Sequence, residues 1–175
     1  MINPPAITKI STLKRCAPSG HDWRGGVVKM AKTVAQEIAM VCDARNYAIE
    51  HKRYDLVNAR NDILDMIERE ALPSGSGIDN GCTIDRDEST GDRIIINLGF
   101  HHMDENGYYC GWSSHTATIT ASIAYGLMID IDSDFSGLDP DDIDEDTSYL
   151  SGTLRHALEQ PAPAYDWQAI HAQYV

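Results

Sequence analysis

The chain has 175 residues, 42% of them hydrophobic and 23% charged, with a formal net charge of −13 at pH 7. That length fits one domain with a sizeable core, and no run approaches the roughly 18 apolar residues that a membrane span needs. The charge is lopsided: residues 1–72 carry a net +2 and residues 73–175 a net −15, so the second half is not expected to bind phosphate backbones directly, where affinity comes from basic side chains.

Residues 1–26 contain Pro4, Pro5, Pro18, Gly20, Gly25 and Gly26 without a sustained period, and they read as an irregular arm. The first 16 residues have no apolar core of the signal-peptide kind, which points to a cytoplasmic protein. Cys16, Cys42, Cys82 and Cys110 include no CxxC pair. They suit reduced thiols better than a zinc ribbon or a disulfide framework.

Residues 27–72 lack both glycine and proline. Val27, Ala31, Val34, Ile38 and Val41 form one apolar stripe, and Val57, Leu64, Ile67 and Ala71, with Ile63 beside them, form a second. A helical hairpin turning near residues 50–55 accounts for both better than one long uncapped helix does. Asp55 is placed to cap the second helix and Pro73 to end it. The connector that follows, Leu72-Pro73-Ser74-Gly75-Ser76-Gly77-Ile78-Asp79-Asn80-Gly81, has the glycine content of a phosphate loop. It leaves a helix rather than a strand, however, and lacks the Gly-Lys-Ser/Thr ending, so it reads as a shaped connector.

Strand signals come next. A first hairpin is expected to run over residues 82–87, turn through Glu88-Ser89-Thr90-Gly91 and enter a strand at Arg93. On that strand Ile94, Ile96, Leu98, Phe100 and His102 share one face. Asp104-Glu105-Asn106-Gly107 follows, and its Asn-Gly pair predicts a type I′ turn. Residues 115–131 alternate, with Ala117, Ile119, Ala121 and Ile123 on one face and Thr116, Thr118 and Thr120 on the other. The run exceeds an ordinary strand, so a turn is expected near residues 122–126. Segregated helices and strands predict an α+β fold, with a helical hairpin packed on an antiparallel meander of about four strands and a C-terminal helix. Residues 27–160 then make a single domain and residues 161–175 a tail, with a short helix around Trp167 and Ile170.

Between sheet and tail lie nine acids with no base: Asp130, Asp132, Asp134, Asp139, Asp141, Asp142, Asp144, Glu145 and Asp146. The opening Asp-x-Asp-x-Asp resembles a calcium loop, but Phe135 and Asp141 stand where an EF-hand needs glycine and glutamate. Asp139-Pro140 reads as a helix cap followed by proline at the first helical position. Ile143, Thr147, Leu150, Leu154 and Leu158 carry that helix on, Gly152 weakens its middle, and Pro161 and Pro163 stop it. These acids are the expected partner-binding surface.

His101, His102, Asp104 and His115 are the candidate metal ligands. Adjacent strand residues face opposite ways, so His101 and His102 can share a site only across a bulge, and no HExxH spacing is present. Ser113, Ser114 or Cys110 beside His115 is a candidate nucleophile, without a GxSxG elbow. No cofactor motif occurs, and no cofactor is expected.

Leu72-Pro73-Ser74-Gly75-Ser76-Gly77-Ile78-Asp79, Phe100-His101-His102-Met103, Gly107-Tyr108-Tyr109, Gly111-Trp112 and His115 together resemble an uncharacterised family of small proteins from phages, plasmids and prophages. The resemblance covers about residues 62–131. It implies a mobile-element accessory protein and says nothing about catalysis. Cys110 stands where that pattern has an acidic residue, and the acidic segment and proline-rich tail lie outside it. The functional expectation is a non-catalytic protein whose acidic surface binds, and inhibits, a basic nucleic-acid-handling host defence protein or nucleoprotein complex. The alternative is a small metal-dependent or histidine-based hydrolase built on His101, His102 and His115.

Overall fold

A computed structural model describes residues 31–75 and 77–175. The expected N-terminal arm and Val27 lie outside the described residues. Among those described, no helix is long and apolar enough to cross a membrane.

Helix α1 (Val34–Glu50) begins later than its apolar stripe suggested. The Gln36 amide donates to Thr33 Oγ1 at 3.3 Å and the Thr33 amide donates to Gln36 Oε1 at 3.0 Å, a reciprocal capping box that fixes the start at Val34. Ala31 is therefore exposed ahead of the helix, while Val34, Ile38 and Val41 are buried as expected. The chain reverses at Lys52, in the left-handed region with φ +55°, and enters α2 (Tyr54–Glu70). A hairpin, not one long helix, is the result. Asp55 does not cap α2. The cap position is Arg53, without a side-chain bond, and Asp55 sits in the first turn, where it accepts from Arg53 Nη2 at 2.8 Å and Nε at 3.1 Å.

Strands β1 (Ile78–Ile84), β2 (Arg93–Met103), β3 (Tyr109–Ser122) and β4 (Gly126–Ser136) form one antiparallel sheet in the order β1-β2-β3-β4. The α+β meander is thus as expected, with two differences. Strand β1 starts inside the supposed connector, because a bulge between Asp79 and Thr83, with Asn80 at φ +57° and Gly81 at φ +74°, lets the chain pair on both sides of it. The β2–β3 turn is not type I′: Gly107 has positive φ but Asn106 does not. Asp104 Oδ1 accepts from the amides of Asn106 at 2.8 Å and Tyr108 at 2.9 Å, and this local side-chain acceptor selects a wider turn closed by a left-handed glycine.

Helix α3 (Pro140–Glu159) starts as its sequence indicates, with Asp139 Oδ1 accepting from the Asp141 amide at 3.1 Å. The inner sheet face, with Ile94, Ile96, Leu98, Phe100, Ala117, Ile119 and Leu127, packs against Ile38, Ile63, Leu64, Leu150, Leu154 and Leu158 of the helices. Each of these buried Ile, Leu and Phe side chains stabilises the fold by about 1.5–3 kcal/mol relative to exposure. The outer face carries Asn97, Ser114, Thr116, Thr118 and the β4 aspartates, with Ile95 and Trp112 among them.

The tail packs against the helical hairpin. In α4 (Trp167–His171), Trp167 Nε1 donates to Glu37 Oε1 at 3.3 Å and the Arg60 guanidinium lies 4.6 Å from the centroid of the same ring. His171 Nε2 lies 2.9 Å from Asp55, and Tyr174 donates to Asp62.

Candidate functional site

Chemistry-bearing side chains meet at the end of the sheet where β2 and β3 approach the start of α3. On the inner face Phe100, His102, Ser113 and His115 follow the two-residue period, and α3 turns Asp146 toward them from the interval between Ile143 and Leu150. Ser113 Oγ is the hub: it lies 2.9 Å from His115 Nε2, 3.1 Å from His102 Nε2 and 3.3 Å from Asp146 Oδ2. His102 Nε2 is also 3.1 Å from Asp146 Oδ2. On its far side His115 Nδ1 meets Ser133 Oγ of β4 at 2.8 Å, and the Phe100 ring stands edge-on to His115 with centroids 5.6 Å apart.

Burial sets the electrostatics. His115 has a fully buried side chain, and desolvation holds its pKa below the ordinary histidine value; the nearby Asp146 charge opposes that shift and His102 adds to it. A neutral His115 satisfies the network when Ser133 donates to Nδ1, Nε2–H donates to Ser113, and Ser113 donates to Asp146. Ser113 has the neighbours of an activated hydroxyl but not the access, being 1% exposed, and His102 and Asp146 are the members that reach solvent.

The four candidate metal ligands are not brought together. His102 and His115 join the inner cluster. His101 points to the opposite face, where its Nδ1 pairs with Asp79, and Asp104 is consumed by the turn. Among the described residues, no group of three or more His, Cys, Asp or Glu side chains is arranged to hold a metal ion. Cys110 is exposed beside the turn, and Ser114 faces the outer side of the sheet.

The acidic segment is divided among three settings. Asp130, Asp132 and Asp134 lie in β4, exposed on the outer face opposite Thr118, Thr116 and Ser114, so their spacing is that of a strand and not of a cation loop. Asp139, Asp141, Asp142, Asp144 and Glu145 are exposed around the start of α3. Asp146 alone turns inward. Its position three residues after Ile143 on the apolar stripe was the signal for that, masked by the acids around it.

A concavity lies on the outer face beside the β1 bulge, a shallow groove of about 400 Å³ whose lining includes Asp79, Asn97, Gly99, His101, Trp112 and Ser114. Sequence reasoning did not single out Asp79 and Trp112 as a pair, because the bulge that positions Asp79 is invisible in the alternation pattern. The chain matches no protein-family model, no curated protein and no solved structure.

Proposed function

We propose that this chain is a non-catalytic accessory protein of a phage or other mobile element, which binds and inhibits a basic nucleic-acid-handling host defence protein through its acidic surface. One observation carries the reading. Eight of the nine clustered acids are exposed, and among the described residues none of them is ion-paired with Lys or Arg. Uncompensated like charges held together cost stability, and a cationic partner relieves that cost while gaining speed and selectivity of encounter. The motif string supports a mobile-element origin. A hydrolase centred on Ser113 and His115 is disfavoured by the enclosure of the hydroxyl.

The test is capture from host extract followed by measurement with the purified basic protein. Changing Asp141, Asp142, Asp144 and Glu145 to their amides should slow association, and added salt should mimic the change. Association unchanged in the folded quadruple variant at low salt would overturn the reading.

A further inference from the structure

We infer that the outer-face groove seats an arginine side chain of that basic partner, an inference that rests on the acidic-surface reading and adds a defined pocket to it. Strand pairing lines up Asp79 with Gly99, Gly99 with Ser114, and Ser114 with Asp134, so one row across all four strands carries a carboxylate at each end and almost no side-chain bulk between. With strands about 4.8 Å apart, the row spans about 14 Å between the outer backbones, a floor on which an extended basic side chain can lie. The adjoining row pairs His101 with Trp112, and Tyr109 approaches His101 with ring centroids 5.8 Å apart. An aromatic wall therefore borders an acidic floor.

Among the described residues no Lys or Arg lines the groove, so its chemistry fits a cation and not a phosphate. Guanidinium fits better than ammonium. It is planar, weakly hydrated, able to stack on an indole face and able to engage a carboxylate through two N–H donors at once. Asp79 is already held toward the groove by His101, an exposed and replaceable partner. Three of the sequence motifs, those ending in Asp79 and containing His101 and Trp112, meet at this one place.

Gly99 provides a test that leaves every charge intact. A Cβ there would meet only the Ser113 carbonyl oxygen, at an ordinary 3.5 Å, so the branch point of Gly99→Val is accommodated at the groove floor without altering any charge. The probes are two fluorescein-labelled peptides, alternating glycine with arginine or glycine with lysine, titrated by anisotropy against the full chain. The arginine peptide should bind about tenfold more tightly than the lysine peptide. Gly99→Val and Asp79→Asn, each checked for folding by circular dichroism, should abolish that preference and leave lysine-peptide binding unchanged. Equal binding of the two peptides by the wild type, or a preference that survives in both folded variants, overturns the groove. If the peptides bind equally and the quadruple amide variant loses both, the groove falls and the acidic surface stands. If neither binds at low salt, both fall.

Discussion

His102 Nε2 lies 3.1 Å from the Asp146 carboxylate, and through that contact strand β2 and helix α3 are tied together at the end of the sheet where apolar packing gives out. Replacing His102 with Gln removes a ring that bonds both Ser113 and Asp146. The variant should be less stable by about 1–3 kcal/mol in urea denaturation, the cost of an incompletely replaced hydrogen bond. Partner binding per folded molecule should be unchanged. A variant of undiminished stability that had lost binding would place His102 in the interface instead.

Acid should weaken the same region. Because burial holds His115 below the ordinary histidine value, near 6.5, the unfolded chain binds more protons than the folded one between those two values. Stability from this group is full above about pH 6.5 and is withdrawn as pH falls toward the folded-state value. Melting temperatures of the wild type should therefore drop between pH 7.5 and pH 5 by more than those of His115→Gln. Parallel curves for the two proteins would remove His115 as the source.

Thiol chemistry should distinguish the cysteines. Burial pushes Cys42 up to about 12 and Cys82 up to about 11, whereas Cys110 is exposed. Since the thiolate is the reactive form, a maleimide or aromatic disulfide reagent at pH 8 should modify Cys110 quickly in the native protein, with Cys42 and Cys82 reacting only on unfolding. Peptide mapping after a short pulse reads this directly.

Two glycines should respond in opposite directions to alanine. At Gly111 a Cβ would fall 2.5 Å from the Ser136 carbonyl oxygen and 2.8 Å from Leu138 Cδ2, so Gly111→Ala should cost about 1–3 kcal/mol through forced movement of β4. Gly152 lies exposed in the middle of α3 with open space around it, and Gly152→Ala should stabilise by about 0.4–1 kcal/mol. Thermal melts of the two variants supply the comparison.

The parts of the fold that were readable in advance are those governed by short-range periodicity. The stripe from Ile143 to Leu158 and the alternation from Ala117 to Ala121 each bury the face that they indicate. Boundaries set by a single polar side chain were not readable in the same way: Thr33 moved the start of α1, and Asp104 overrode the Asn-Gly preference at the β2–β3 turn. The site was less legible still. His102 and His115 stood out, but Asp146 reaches them only where α3 packs on the sheet, and Asp79 meets His101 beside the β1 bulge. The stripe of α3 encodes that Asp146 turns inward, but which side chains it and Asp79 meet depends on tertiary geometry that no local pattern encodes.

Each strand pairs only with its neighbour in the chain, yet the first helix is sealed by residues far downstream, with the Val34 amide donating to the Gln160 carbonyl at 2.9 Å and the Ala162 amide to the Lys32 carbonyl at 2.7 Å. A nascent chain leaving the ribosome can therefore zip its hairpins as they emerge, because local pairings cost little loop entropy. The apolar side chains of β4 must wait for α3 before they are covered. During that interval Leu127, Ile129 and Ile131 offer a greasy strip of the kind that chaperones recognise, so a delay after β4 has cleared the ribosome and before α3 has followed should raise aggregation more than an earlier delay does.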